Sequence, residues 1–426
     1  MKSPSKSQIE GASEEHFHNK LDAWTSALVK NRLVPFGELL RALPGVFPSD
    51  VVASIRRLDK AGILPLGYRA MLVRSVRTRF ADLAGVELPE FKNECLEHPL
   101  DFEWLFTKDA NLTISQRLRQ ILAPGQGTIL CLGCPSFYAF ATTVLPEYQL
   151  SLCDKNATHV GQLSEVGRIA EIDLTREPIP TQTAEAAVID PPWYNDFYKL
   201  FIWGALERVK LGGSMLISFP PEGTRPSAAN DLKEVLRWCQ NAGAELIEHR
   251  PGILPYRSPL FEINALAMHE IHNVPWDWRR GDLLVLKKSS DAQLPCPIIP
   301  NLGHHWHEFK IGLVRVKVRF GKDPQGDAGL RPVAGTPVLP SVSTHYPGRE
   351  NANVVTTGNR FLYTCAPNIV KGVFEEMSLK NRDAFKNKAV AAPDQDGSAK
   401  LKAQIENLLE QETREAIHYL TKIHGQ

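Results

Sequence analysis

Ala184-Glu185-Ala186-Ala187-Val188-Ile189-Asp190-Pro191-Pro192-Trp193-Tyr194 is a short apolar run that stops at a carboxylate, two prolines and two aromatic rings. Ala184 to Ile189 has the length and composition of a buried β-strand, and the Pro-Pro pair marks a sharp turn after it. Two consecutive prolines remove two backbone donors and fix φ, so the loop after Asp190 is stiff. A carboxylate and bare carbonyls held at a strand end accept hydrogen bonds from an exocyclic NH2 group, and Trp193 offers a face for the ring that carries it. The plainer reading is a proline-stiffened surface turn. The strands upstream separate the two readings.

Working outward, Thr128-Ile129-Leu130-Cys131-Leu132 is a first strand that exits through Gly133-Cys134-Pro135-Ser136. Gln149 to Cys153 is a second strand ending in Asp154, and Arg168 to Ile172 a third ending in Asp173. Helices are expected near Leu112–Leu122, Phe137–Val144, Phe197–Val209 and Asp231–Ala242, and further strands at Ser214–Phe219, Ala244–His249 and Leu283–Lys287. Strands alternating with helices predict a parallel doubly wound α/β sheet, in which ligands bind at the strands' C-terminal ends. Gly133 lets the backbone approach a ligand closely. Asp154 is placed like the carboxylate that holds ribose hydroxyls in nucleotide-binding sheets, and Asp173 is placed to meet an adenine amino group. Each acid alone reads as a turn residue or helix cap. Three acids at successive strand ends argue for a site.

Length and composition set the frame. At 426 residues the chain holds two or three domains. Its 43% apolar and 23% charged residues describe an ordinary globular protein, and its formal net charge of +1 provides no global field toward nucleic acid, so any attraction is local. Seven scattered cysteines point to a reduced, cytoplasmic protein. Cys131-x-x-Cys134 lies across a strand end and reads as packing, and no metal site is expected. No apolar run reaches the roughly 18 residues of a membrane span.

Residues 1–18 are polar and expected to be disordered. Helices are expected from Leu21, at Phe36–Leu43 and at Val51–Ala61, the last capped by Ser49 or Asp50 and followed by a wing. Residues 19–95 thus resemble a winged helix-turn-helix, a module that places a helix in the DNA major groove. Residues 51–80 carry seven Arg and Lys side chains against one acid, Asp59. Arg56, Arg57, Lys60, Arg74 and Arg77 are the candidate nucleic-acid contacts, and a solvated basic face is the plainer alternative.

After residue 290 the pattern changes. Trp306 to Phe320 alternates as one half-buried strand with Arg315, Lys317 and Arg319 on its polar face. His304, His305 and His307 lack partners at metal-ligand spacing. Residues 291–387 form a C-terminal β-containing region and 388–398 a linker. A last helix near Lys400–Ile423 docks on the body or pairs with a second copy, a possible homodimer through terminal helices.

Taken together, Trp104-Leu105-Phe106-Thr107, the Gly133-Cys134-Pro135-Ser136 loop and Asp190-Pro191-Pro192-Trp193 resemble the N6-adenine methyltransferase-like family, over roughly residues 100–290. The resemblance implies a Rossmann-like class I methyltransferase sheet and S-adenosylmethionine as cofactor. It implies that Phe106, Thr107, Leu132, Gly133, Pro135, Asp154 and Asp173 hold that cofactor, and that Asp190, Pro191, Pro192 and Trp193 receive a planar amine. Because the family includes ribosomal-RNA adenine and elongation-factor lysine methyltransferases, adenine N6 in DNA or RNA is the favoured substrate. A protein lysine and a non-catalytic nucleic-acid-binding module are the alternatives.

Overall fold

The computed structural model describes residues 6–30, 32–65, 67–77, 96–125, 127–156, 163, 168–180, 183–292, 294–299, 306–320, 329–383 and 396–424. These residues fall in two compact units, the first drawn from Met1–Thr78, Trp104–Ser258 and Asn273–Asn301, the second from Arg79–Glu103, Pro259–His272 and Leu302–Gln426.

The first unit is built on a seven-stranded sheet: β1 Thr128–Leu132, β2 Gln149–Asp154, β3 Arg168–Glu171, β4 Ala184–Ile189, β5 Val209–Phe219, β6 Ala244–Pro255 and β7 Arg280–Lys288. Their order is β3-β2-β1-β4-β5-β7-β6. β1 to β5 run parallel, whereas β7 pairs antiparallel with both β5 and β6. The all-parallel expectation is therefore corrected at one strand. The antiparallel β7 starts at the edge where β4, β5 and β6 end, since Phe219 pairs with Asp282 and Pro255 with Arg280. This brings Arg279 to the same edge as Asp190. The order and the single antiparallel strand are those of the Rossmann-like class I methyltransferase fold.

Burial explains the central strands. β4 is buried at five of six positions and β1 at four of five, as strands covered on both faces must be. One face packs under α7 Asn195–Leu206 and α8 Ala228–Ala242 through Leu206, Met215, Val235 and Cys239. The other packs under α5 Lys108–Ile121 and α6 Pro135–Val144 through Ile114, Leu118, Phe137 and Tyr138. Cys131 and Cys134 are part of this core, with the Cys134 thiol 3.5 Å from the Val188 carbonyl.

Four helices precede the sheet: α1 Lys6–Val29, α2 Phe36–Ala42, α3 Pro48–Lys60 and α4 Tyr68–Arg77. Helix α1 begins inside the stretch 1–18 expected to be disordered, and Leu21 and Val29 on it are buried against this bundle. Helix α3 starts earlier than expected, with Phe47 as N-cap and Pro48 at its first position, where a missing N–H is no loss. A turn at Ala61-Gly62 leads to α4, so the wing expected after α3 is not found there; residues 78–95 lie outside the described residues. The helices pack near the edge of the sheet where β6 ends and β7 starts. Phe47 meets Trp278 edge-on at 5.6 Å, Arg41 bonds Asp277 at 3.1 Å, and a Cβ on Gly252 would stand 2.8 Å from Pro44.

In the second unit, the stretch expected as one strand is a hairpin, β8 Trp306–Ile311 and β9 Val314–Arg319, turning at Gly312-Leu313. With β10 Arg331–Pro332, β11 Val354–Thr356 and β12 Phe361–Tyr363 it makes a sheet in the order β10-β12-β11-β9-β8. Helices α9 Leu260–Ala267, α10 Pro367–Asp383 and α11 Asp396–His424 complete this unit. Leu401, Ile405 and Leu409 of α11 pack with Val314, Val316 and Val318. The apolar face offered for a homodimer is thus covered by this chain's own sheet.

Candidate functional site

Backbone hydrogen bonds stitch the strand ends together. Asp190 N donates to Leu132 O at 3.0 Å, Gly133 N to Cys153 O at 3.0 Å, and Ile172 N to Asp154 O at 2.8 Å. Gly133 adopts φ +65°, and a Cβ there would stand 2.8 Å from the Asp190 carbonyl and 3.1 Å from the Phe201 ring. The close backbone approach expected for a ligand is therefore made first to the Asp190 loop itself, which ties the two loops into one rigid edge. Pro135 is buried at the first position of α6, and Leu132 is buried in the sheet.

Asp190 is half-buried, with protein packed around its carboxylate. Burial pushes its carboxyl well above the usual carboxylate range, and a hydrogen bond from Tyr256 pulls it back down. The Tyr256 hydroxyl donates to Asp190 Oδ1 at 2.6 Å and is bonded in turn to the Ser218 hydroxyl. Among the described residues no cation pairs with Asp190. Pro191 is buried behind it, and Pro192 and Trp193 are half-buried. The Trp193 ring stands edge-on to Tyr256, with centroids 5.7 Å apart.

Phe106 and Thr107 reach this edge by pairing with the end of β6. Phe106 forms an isolated antiparallel bridge to Tyr256, and Thr107 N donates to Pro255 O at 3.0 Å. The Phe106 ring lies 4.7 Å from that of Tyr256. Thr107 caps α5, its hydroxyl accepting from Ala110 N at 3.4 Å. The two remaining acids are engaged locally. Asp154 Oδ1 accepts from Asn156 N at 2.8 Å, and Asp173 Oδ1 accepts from both the amide and the hydroxyl of Thr175. Asp173 is thus turned back on its own loop.

Sequence reasoning missed Tyr256, Ser218 and Arg279. The expected end of β6 at His249 fell six residues short, which left Tyr256 in a loop; Pro255 at the true end was the available signal. Arg279 is 7% exposed, with its guanidinium carbon 5.0 Å from the Trp104 ring, 5.6 Å from Trp193 and 4.9 Å from Trp278. It sets a cation beside the Pro-Pro-Trp loop.

Arg57 is held by Asp22 through two hydrogen bonds of 2.8 Å, which join α3 to α1. Arg56 and Lys60 are exposed. Arg74 and Arg77 lie on α4, with side chains outside the described residues. In the second unit the expected basic strand face is internal. Arg315 is fully buried and bonded to Asp101, Glu103 and Glu308, and Lys317 is paired with Asp101 and Glu308. Among the described residues no group of His, Cys, Asp and Glu is arranged to hold a metal ion, and His304 and His305 lie outside them. No helix of the described residues is long and apolar enough to cross a membrane.

No known protein family matches the sequence, and no curated protein does. Solved structures do match. A mutein of the branched-chain polyamine synthase of Thermus thermophilus, in complex with N4-aminopropylspermidine and 5'-methylthioadenosine, is similar with a TM-score of 0.50 and 14% identity, over 68% of this chain and 95% of that one. The same enzyme without the mutein's changes gives 0.46 at 13% identity, over 67% and 91%. TrmN from Thermus thermophilus gives 0.30 at 18% identity, over 42% and 48%. At such identities the first likeness establishes a shared fold, with a chain that this one covers almost completely.

Proposed function

We propose that this chain transfers a methyl group from S-adenosylmethionine to the N6 amine of adenine in nucleic acid. The observation that carries the reading is the Asp190-Pro191-Pro192-Trp193 loop at the ligand edge of the sheet, with a carboxylate that protein surrounds and no cation neutralises among the described residues. S-adenosylmethionine, when bound, supplies a sulfonium methyl group that is already strongly electrophilic. The residues present fit it: Asp154 stands half-exposed at the end of β2, where a carboxylate meets vicinal hydroxyls, and the Leu132-Gly133 turn sits between it and Asp190. Phe106, Thr107, Pro135 and Asp173 border the same edge.

On the substrate side, the Asp190 carboxylate and the backbone carbonyl of Asp190 or Pro191 accept the two amine protons. That fixes the nitrogen lone pair in direction, and alignment is most of what such a reaction needs. The proton that the amine sheds passes to Asp190, whose carboxyl, lifted by burial, is a competent acceptor. Trp193 stacks on a base taken out of its helix.

The same features favour a neutral amine over a cationic one. A lysine or a polyamine would bring its charge to a carboxylate already engaged by Tyr256, in the field of the buried Arg279 guanidinium over the Trp193 ring. The polyamine synthase that shares the fold was solved with a polyamine and a thionucleoside. Exposed Arg56 and Lys60 on α3 are the remaining candidates for backbone phosphate contact. The test offers the purified chain labelled S-adenosylmethionine with adenine-containing oligonucleotides, matched oligonucleotides carrying inosine, and cell-extract protein. Label entering only the adenine strands is expected; label in protein instead overturns the substrate, and no label anywhere overturns the activity. Mass spectrometry of DNA and RNA nucleosides from cells with and without the protein then identifies which nucleic acid is modified.

A further inference from the structure

Tyr256 is placed with unusual redundancy for a residue just past a strand end. Its amide donates to Arg279 O at 2.8 Å, it bridges Phe106, and Phe106 and Trp193 flank its ring. Room for it is made by a glycine: a Cβ on Gly281 would stand 2.5 Å from the Ser218 hydroxyl and 3.2 Å from the Tyr256 ring. With the Tyr256 hydroxyl donating to Asp190, the Ser218 hydroxyl must be the donor to Tyr256. The result is a one-way chain, Ser218 to Tyr256 to Asp190 Oδ1, across the ends of β5, β6 and β4. The Ser218 carbonyl is anchored by the Tyr198 hydroxyl at 2.9 Å.

We propose that Tyr256 is the positioning residue of this site: backed by Ser218, it binds one oxygen of Asp190 and leaves the other for the substrate amine. The inference rests on the methyl-transfer reading for the amine, but the placement of the carboxylate is testable without any transfer. It has a consequence in pH. The other ionisable groups facing Asp190 are Tyr198 from α7 and Cys134 at the start of α6, both pushed up by burial and neutral. Asp154 also acts on Cys134, Asp282 and Arg225 act on Tyr198, and the Arg279 guanidinium contacts the Trp193 ring. Tyr256 is the group whose hydrogen bond favours the charged carboxylate, against a burial that disfavours it. Removing the hydroxyl therefore moves the Asp190 titration upward, and the acid limb of kcat/KM follows it.

The experiment is carbon-13 NMR of the full chain with labelled aspartate carboxyls and no donor or substrate, the Asp190 signal being assigned by its loss in Asp190→Asn. Tyr256→Phe should raise the Asp190 midpoint, and Ser218→Ala should raise it by a smaller amount in a nearly unchanged fold. In kinetics, Tyr256→Phe should lose most activity on the acid side and recover much of it at higher pH, whereas a merely structural defect lowers the rate at every pH alike. An unchanged midpoint in both variants, each with wild-type spectra elsewhere, overturns the proposal whatever the wild type methylates. A raised midpoint in a protein that methylates no adenine upholds the positioning role and overturns only the substrate.

Discussion

Asp190 and Glu412 are two carboxylates lifted above their ordinary range by burial, one in each unit, and they differ in company. Glu412, fully buried on α11, is met by Arg360 at 2.7 Å, by Gly358 N at 2.8 Å and by the Thr356 hydroxyl. Arg315, on the neighbouring strand β9, is likewise surrounded by acids. Buried charge saturated in this way holds architecture together, because removing one member strands the others in a low dielectric. Asp190 has one neutral donor on one oxygen. A carboxylate left in that state at the ligand edge of a sheet is costly unless something else is to bind it.

The comparison breaks first at Asp190. Asp190→Ala should lower methyl transfer by about 100-fold to 10,000-fold, the range for a positioned proton acceptor. Donor affinity measured by calorimetry should stay nearly unchanged, so the loss lies in the rate constant. Asp190→Asn keeps an acceptor oxygen and should retain part of the activity if the amine is neutral. Full activity in Asp190→Ala removes this loop from the site.

The second test falls on the saturated partner. Arg360→Met leaves Glu412 buried without its cation and should cost about 3–5 kcal/mol in denaturant unfolding. Burial already raises the folded-state value of Glu412 above its unfolded one, so the stability it confers is full below the unfolded value and is lost as pH rises through the folded one. Loss of Arg360 raises the folded value further. The variant's deficit should therefore be largest at neutral and alkaline pH and narrow toward about pH 4. A pH-independent deficit argues that Glu412 carries no charge in the wild type.

Smaller effects sharpen the contrast between binding and bracing. Asp154→Ala should weaken S-adenosylmethionine by about 1.5–3 kcal/mol, the value of hydrogen bonds to a charged group, and should leave unfolding nearly unchanged. Calorimetry showing wild-type affinity would remove Asp154 from the cofactor site. Smallest of all, Arg57→Ala should cost roughly 0.2–1 kcal/mol of stability through Asp22, since the pair is partly exposed. It should not flatten the salt dependence of nucleic-acid binding, whereas Arg56→Glu with Lys60→Glu should. The reverse pattern would return Arg57 to the candidate contacts.

The sequence by itself determined the strand ends and their acids. Hydrophobic runs bounded by Asp, Gly and Pro placed β1, β2 and β4 within a residue of where they lie, because a strand buried on both faces has little freedom in composition. It also located the Asp190-Pro191-Pro192-Trp193 loop, whose stiffness is local. Only the tertiary structure decided what each charged side chain is for. Arg315 and Lys317 alternate with valines as a solvated basic face would, yet they are covered by Asp101 and Glu103, more than 200 residues away. The Trp306–Phe320 run hid a hairpin, since a two-residue turn at Gly312-Leu313 barely interrupts alternation. Ser218 and Tyr256 reach Asp190 because β5 and β6 end at the edge where β4 ends, and Arg279 reaches the Trp193 ring because β7 runs antiparallel and starts there. Period and composition report burial; they carry no information on which distant partner fills the space or satisfies the charge.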